Sequence, residues 1–461
     1  MKLGDKHVLI LGLGESGLAA ALWCERQGAR LRVADTRAQP PGLKELQCRL
    51  ANAEFHTGEF SKALLNGIDL LVLSPGLSPG ILPVLHARAQ GIPVVGEIEL
   101  FAWALRDLQQ NAPIVAITGT NGKTTTTALT GHLIAASGKT AGVAGNISPA
   151  ALTALMDFQD KGTLPHAWVL ELSSFQLETT ETLNATAATV LNISDDHLDR
   201  YIDLDDYALT KTRIFQGEGV QVLNRDDLRV KRMALPGRSL ITFGLDAPAD
   251  ERDFGLRQNR GEAWLVQGER FLMPVSSLPL AGLHNAANAL AALALCAAIG
   301  IDAVGLLPAL RSFKGLEHRV EKVRTRAGVT YYDDSKGTNV GATVAALEGL
   351  GGVGARSVVI LGGDGKGQDF SPLKDAIARH ARAAVLIGRD GPQISAAIDG
   401  CGVPVLSATD MDDAVRIAAA EARPGDAVLL SPACASFDMY RNYGHRAEVF
   451  RAAVAALEDA Q

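Results

Sequence analysis

The stretch Ile114-Val115-Ala116-Ile117-Thr118-Gly119-Thr120-Asn121-Gly122-Lys123-Thr124-Thr125-Thr126-Thr127 decides how this chain is read. Ile114 to Thr118 are apolar or β-branched and predict a buried strand, Gly119 to Gly122 a tight polar turn, and Lys123 onward, through Ala128, Leu129 and Leu133, a helix. Strand, glycine turn and helix together make a cradle for phosphate. Gly119 and Gly122 let backbone N–H groups approach an anion, and the helix start adds the positive end of its dipole. Lys123 can reach terminal phosphates and the Thr124 hydroxyl can ligate magnesium, which makes sense only with a nucleoside triphosphate. The common phosphate-loop pattern would place glycine at Ile117, so this is a shortened variant.

Toward the N-terminus, strand signals at Val8 to Leu11, Leu31 to Ala34, Leu70 to Ser74 and Pro93 to Val95, with a helix from Gly17 to Gln27, predict a doubly wound parallel sheet. Gly12-Leu13-Gly14-Glu15-Ser16-Gly17 fits G-x-G-x-x-G, and the second strand ends in Asp35 at the spacing of a ribose-binding acid. The physics is that of a diphosphate on a helix N-terminus, which a nicotinamide dinucleotide and a UDP-type ligand both present. The amphipathic stretch from Glu97 to Asn111 reads as a first linker.

Beyond the phosphate turn, strands at Trp168 to Leu172, Thr189 to Ile193, Gln221 to Leu223 and Leu240 to Phe243 predict a second α/β domain. Short antiparallel strands over 245–275 form its edge, and Leu280 to Leu310 reads as a buried helix pair. A third sheet begins near Gly315, with strands Thr330 to Tyr332, Ser357 to Leu361, Ala384 to Ile387 and Ala427 to Leu430, and a closing helix from Arg446 to Ala460. The expectation is an α/β protein of three domains: 1–98 Rossmann-like, 99–314 a central ATP-binding parallel sheet, and 315–461 Rossmann-like.

Composition narrows the function classes. A chain of 461 residues, 47% hydrophobic and 21% charged, fits a globular protein of about three domains. A net charge of −7 argues against nucleic-acid or membrane-surface binding, so an anionic substrate has to be held by local groups. Cys24, Cys48, Cys296, Cys401 and Cys434 are scattered without metal-ligand spacing, as in a reducing cytosol. No apolar run approaches the ~18 residues of a membrane span, and no signal region leads the chain. A cytoplasmic protein without membrane insertion is expected.

Polar loops follow the predicted strand ends. Glu171-Leu172-Ser173-Ser174 places a carboxylate where it can complete a magnesium site with Thr124, or stand exposed at a strand end. Asn192 to Tyr201 packs Asp195, Asp196 and Asp199 beside His197, which suits metal or phosphate chemistry and equally a solvated acidic loop. Lys211 reads by itself as a surface helix lysine. Asn285 and Asn288 share one helix face, as caps or as adenine contacts. His318-Arg319, Asp333 to Asn339, Leu361 to Gly367 and Ser431 to Asp438 gather cations and carboxylates at what should be one edge of the third sheet.

Taken in order, Gly119-Thr120-Asn121-Gly122-Lys123-Thr124-Thr125, Glu171-Leu172-Ser173-Ser174, Asp196-His197-Leu198-Asp199, His284-Asn285, His318-Arg319 and Asp334-Ser335-Lys336 resemble the Mur ligases over essentially the whole chain. The Gly12 to Gly17 run and Ser431-Pro432-Ala433-Cys434-Ala435-Ser436 resemble the members that add D-glutamate, and the Asp-Asn-Pro-Arg run of the diaminopimelate-adding relatives is absent. The resemblance implies an ATP-dependent ligase of peptidoglycan precursor synthesis, a monomer acting on UDP-N-acetylmuramoyl-L-alanine and D-glutamate. It implies that Gly14, Glu15 and Ser16 hold the UDP diphosphate and Asp35, Thr36 and Arg37 the uracil, with Asn146 and His197 further along that substrate. ATP would lie on Gly119 to Thr125, with Asn285 near adenine and Arg319 and Asp334 near ribose and phosphates. One magnesium would sit with Thr124 and Glu171, and a second with His197 and a carbamylated Lys211. Lys336, Thr338, Lys366 and Ser436, with the backbone near Phe437 and Tyr443, would hold D-glutamate. Gly337 and Tyr443 depart from the alanine and phenylalanine common in the family. The alternatives are another amino-acid ligase of the same family and, outside this resemblance, a nicotinamide-dependent dehydrogenase built on Gly12 to Asp35 or a nucleotide switch built on Gly119 to Thr125.

Overall fold

Five parallel strands form the first sheet, in the spatial order Glu54–Thr57, Arg30–Asp35, His7–Leu11, Leu70–Leu73, Val94–Val95. The structure is a computed structural model and describes residues 2–197, 199–280, 282–350 and 356–457. The central strand His7–Leu11 is buried except at its first residue, as a strand covered on both faces must be. Glu54–Thr57 is mostly exposed and lacks the apolar run that marks a strand, so the sequence does not predict it.

The second sheet has nine strands in the order Arg270–Pro274, Glu262–Gln267, Phe254–Asn259, Leu240–Phe243, Val220–Asn224, Ala187–Val190, Ile114–Thr118, Ala167–Glu171, Ala141–Gly145. The last seven run parallel, while the glycine-punctuated hairpins of 245–275 add the antiparallel edge the sequence predicts. Helices Lys123–Ala136 and Leu283–Ala298 cover one face with a core that includes Leu129, Leu133, Leu290 and Leu293. The third sheet orders Glu321–Arg326, Val329–Asp333, Ala427–Leu430, Ser357–Gly362, Ala381–Ile387, Val405–Ser407, parallel apart from the first strand. Its closing helix runs Tyr443–Ala456, starting three residues earlier than the sequence indicates because the Asn442 side chain caps the His445 N–H; the end expected at Ala460 lies outside the described residues.

The stretch expected to be a linker is instead the helix Glu97–Asp107, which is buried along most of its length. Ile98, Leu100, Phe101 and Leu105 join a core that runs unbroken from the first sheet into the second, and Phe101 meets Trp168 edge-on at 5.0 Å. Each such aromatic burial contributes about 1.5–3 kcal/mol. Glu99 then fixes the helix in direction: its carboxylate accepts from the Glu181 and Thr182 N–H groups and from the Trp103 indole. The first two sheets are thereby one packed body.

Candidate active site

Ile114–Thr118 ends at Gly119 (φ 146°), and the turn closes at Gly122 (φ 80°) before Lys123–Ala136 begins. A Cβ on Gly119 would stand 2.9 Å from that of Leu191, so this turn tolerates no side chain. Thr120 N–H donates to the Asn192 carbonyl (2.9 Å) and Asn121 N–H to its side chain (2.7 Å), tying the turn to the loop after the neighbouring strand. Thr126 is the first N–H to find a carbonyl within the helix, at Gly122, so Lys123, Thr124 and Thr125 present the unpaired N–H groups of its first turn.

Charges converge on this turn. Lys123 is held by the Gly119 and Thr120 carbonyls at 2.9 and 2.8 Å. Burial pushes its ammonium below the ordinary lysine value, the Glu171 and Asp196 carboxylates oppose that, and Arg319 and Lys366 reinforce it. Lys211, which in isolation reads as a surface lysine, is instead buried: its Nζ donates to Thr118 Oγ1 and Gly119 O and lies 4.6 Å above the Tyr207 ring. Burial, then the Lys123 charge, depress its pKa well below the lysine range. Helix periodicity could not reveal this, because the face of Leu204–Thr212 that turns inward is set by Tyr207 and Ala208 rather than by an apolar stripe.

Glu171 ends Ala167–Glu171 and is buried, not exposed. Asn146 donates to its Oε1 (2.8 Å), while its Oε2 is buried without a hydrogen-bond partner. An orphaned carboxylate oxygen at a phosphate turn fits a hard cation. His197 packs on the Phe175 ring at 4.6 Å, with Nε2 3.7 Å from Asp196 Oδ2; burial lowers its pKa, Asp196 raises it, and Lys366, Lys123 and Lys211 lower it further. Leu198 lies outside the described residues.

The third sheet faces this turn. Arg319 donates to Thr124 Oγ1 (3.1 Å), Lys366 Nζ lies 3.9 Å from Asp196 Oδ1, and Asn339 donates to Asn121 Oδ1 (3.0 Å). Between the two sheets a cavity is lined by Gly122, Thr125, Asn285, Arg319 and Asp334, together with Asn224, Phe243 and Ala346. Asn285 and Asn288 therefore lie on the cavity wall, and Asn288 also accepts from Thr126. Asp334 accepts from Ser431 (2.7 Å), and burial pushes its carboxyl up to about 7.

A second cleft is lined by Thr124, His318, Arg319, Lys336 and Tyr443, with Lys336 Nζ 5.5 Å from the Tyr443 ring. Burial, with Arg319 nearby, brings Lys336 down to about 8. Thr338 is in the same turn, and Ser436 is buried near the Asp364–Ala435 bridge that joins two strand-end loops. Phe437 is 73% exposed.

On the first sheet, Gly14, Glu15, Ser16, Asp35, Thr36 and Arg37 line one cleft with Phe60 and the Ser74 to Leu77 loop. Asp35 accepts from Leu13 N–H (2.7 Å) and from the Arg37 guanidinium; burial alone would raise its pKa, but these bonds bring it down to about 2.

Family profiles match along the chain. The profile for the Mur ligase MurD-like N-terminal domain covers residues 6–96, that for the Mur ligase middle domain 117–296, and that for the Mur ligase glutamate ligase domain 318–434. The chain belongs to the Mur ligase family. This Mur ligase is 60% identical to a protein of Aromatoleum aromaticum and 54% identical to one of Nitrosospira multiformis, both named UDP-N-acetylmuramoylalanine--D-glutamate ligase. The matches span 99% and 100% of this chain and 98% of each relative. Among solved structures it has the fold of the UDP-N-acetylmuramate-alanine ligase MurC of Thermotoga maritima (TM-score 0.62, 19% identity, 98% of this chain and 100% of that one). It likewise shares that of MurF of Acinetobacter baumannii (TM-score 0.62, 16% identity, 97% and 92%).

Sequence alone assigns no role to several residues that this Mur ligase brings into the site. Asn192 and Asn339 lie in polar stretches at predicted strand ends, but an amide gives no sign of which loop it will bind. Phe60, Phe243 and the Ser74-Pro75-Gly76-Leu77 loop carry only the ordinary marks of strand ends and turns.

Proposed function

We infer that this enzyme joins D-glutamate to the L-alanyl carboxylate of UDP-N-acetylmuramoyl-L-alanine at the expense of ATP, making a peptidoglycan precursor. The observation that carries the reading is that the phosphate turn bearing Lys123 and the lysine-bearing loops of the third sheet meet across one cleft, with Arg319 on Thr124 and Lys366 beside Asp196. The relatives named for this activity cover the chain from end to end.

The first domain, 1–98, takes the UDP portion: Gly14, Glu15 and Ser16 lie along the diphosphate, and Asp35, Thr36 and Arg37 along the uracil. Asn146 and His197 continue along the substrate in the central domain, 99–314. ATP lies against Gly119, Thr120, Asn121, Gly122, Lys123, Thr124 and Thr125, with Asn285 toward adenine and Arg319 and Asp334 toward ribose and phosphates. Lys336, Thr338, Lys366 and Ser436, with the backbone at Phe437 and with Tyr443, hold D-glutamate on domain 315–461. Thr124 and Glu171 would hold one magnesium ion, and His197 with a carbamylated Lys211 a second; bound there, magnesium supplies charge neutralisation between triphosphate and carboxylate.

In the reaction, the γ-phosphoryl group passes to the alanyl carboxylate, and the D-glutamate amine displaces phosphate from the acyl phosphate. The protein's share is positioning and charge. Lys123 and the first-turn N–H groups stabilise the phosphoryl oxygens, while Arg319 and Lys336 offset the repulsion between two anionic reactants. UDP-linked and ATP substrates point to the cytoplasm as its compartment; among the described residues no helix is long and apolar enough to cross a membrane. It acts as a monomer.

The test is phosphate release from ATP with the UDP substrate, with D-glutamate present, absent, or replaced by other amino acids. Release that requires D-glutamate supports the reading. Release driven equally by another amino acid would reassign it to a sister activity.

A further inference from the structure

A carboxylate inside a diphosphate-binding loop is electrostatically out of place, and Glu15 sits in the middle of Gly12 to Gly17. The structure turns its side chain away from that duty. Glu15 Oε1 accepts from Ser148 Oγ (2.6 Å) and from the Ala150 N–H (3.1 Å), both on the second sheet's side of the seam. Ala150 is the residue that caps the helix Ala151–Asp160, so the carboxylate meets the positive end of that helix. The helices Glu15–Arg26 and Ala151–Asp160 run side by side, and at their far ends Arg26 donates to Asp160 (2.7 Å). Both pairs lie at the surface; the inner one is continuous with the loop that carries Asn146.

Ser148 belongs to a loop fastened at both ends. Gly145 N–H donates to the Pro149 carbonyl (2.9 Å), Ser148 N–H to the Gly145 carbonyl (3.2 Å), and Asn146 N–H to the Glu171 carbonyl (2.8 Å). The Asn146 side chain in turn holds Glu171 Oε1, leaving Oε2 free at the phosphate turn. Ser148 has a left-handed backbone (φ 61°), unfavourable for a residue with a Cβ unless its surroundings hold it, and Glu15 supplies such a hold.

We propose that Glu15 is a positioning residue that clamps the diphosphate loop to the 145–150 loop, so that binding of the nucleotide end of the substrate and orientation of Asn146 and Glu171 at its reacting end are coupled. This rests on the reading of Gly14 to Ser16 as the diphosphate loop. The charge of Glu15 is spent on the helix Ala151–Asp160, and the loop's backbone is left to face the anion.

The experiment compares wild type, Glu15→Ala, Glu15→Gln, Ser148→Ala and the Glu15→Ala/Ser148→Ala double variant, by calorimetric binding of the UDP substrate and by steady-state phosphate release. Glu15→Ala is expected to lose about tenfold or more in kcat/KM for the UDP substrate, while KM for D-glutamate stays within about twofold. Glu15→Gln keeps an oxygen acceptor and recovers to within about threefold of wild type. The double variant falls no lower than Glu15→Ala alone, as coupled partners require. Equal or tighter binding of the UDP substrate by Glu15→Ala would overturn the proposal, because the carboxylate would then act only as a repulsive group; so would additive losses in the double variant. A wild-type protein that fails to bind the UDP substrate would instead refute the functional reading beneath it.

Discussion

Two buried charges show how far single residues depart from their ordinary chemistry. Glu97 accepts from the Leu152 N–H (2.6 Å), but its other oxygen is buried without a partner. Burial raises its pKa to about 7, the Leu152 N–H opposing and Glu15 reinforcing the shift. A raised carboxyl binds its proton more tightly in the folded state, so its contribution to stability is complete below the unfolded value near 4.5 and is lost as pH rises through 7. Glu97→Gln keeps the acceptor and removes the ionisation. Its melting temperature should equal that of wild type near pH 4 and exceed it by pH 8, the gap corresponding to at most about 3 kcal/mol. A pH-independent gap would show that Glu97 does not titrate in this range. Lys123 is the opposite case, a cation whose pKa burial pushes below the ordinary lysine value against the pull of Glu171 and Asp196. Lys123→Ala should cost at least about a hundredfold in turnover while the UDP substrate binds the first domain unchanged. Calorimetry beside phosphate release separates the two, and parallel loss of both would remove Lys123 from the phosphate site.

At the scale of elements, most of what positions the site is legible because parallel strands carry continuous apolar runs and end in glycine or polar turns. Ile114–Thr118 and the turn after it fall where the sequence puts them, as do the hairpins that edge the second sheet. Glu54–Thr57 and Val405–Ser407, lying at sheet edges, carry no such run. The helix Glu97–Asp107 escapes sequence reading for another reason: Glu97 and Glu99 look like solvent-facing charges, yet both are buried on backbone N–H groups of the second domain. Long-range pairing of that kind has no local signature. The helix Val340–Leu350 offers a test of element-level fit. A Cβ on Gly341 would lie 3.0 Å from Asn121 Nδ2 and 3.2 Å from Ser194 Oγ, so glycine lets this helix approach the phosphate turn. Alanine is the better helix former by up to about 1 kcal/mol. Gly341→Ala should therefore leave the melting temperature equal or raised while kcat/KM for D-glutamate falls several-fold, and Gly341→Val should fall further. A loss of activity that tracks a loss of stability would count against a steric role.

Across the whole molecule the two seams differ in kind. The first and second domains share one apolar core, which runs from Val8, Ile10 and Trp23 to Leu152, Leu155 and Trp168, reinforced by Glu97 on the Leu152 N–H. The second and third meet at the site through polar contacts, Arg319 on Thr124, Asn339 on Asn121 and Lys366 near Asp196. Separating an apolar seam exposes surface at roughly 25 cal/mol per Å², whereas polar contacts exchange for water at about 0.5–1.5 kcal/mol each. Opening is therefore expected at the second seam alone, with the third domain swinging as a rigid body and closing to keep water from the acyl phosphate. Spin or fluorophore pairs placed across each seam, with small-angle scattering in parallel, measure this directly. Adding a non-hydrolysable ATP analogue and the UDP substrate should shorten and narrow the distances between the second and third domains and leave those between the first and second unchanged. Asn339→Ala should broaden the ligand-free distribution across the second seam and raise the ATP concentration needed to narrow it. If the first seam moves instead, or if neither responds to both ligands together, closure of the loops bearing Lys336 and Lys366 onto the Lys123 turn forms no part of the cycle.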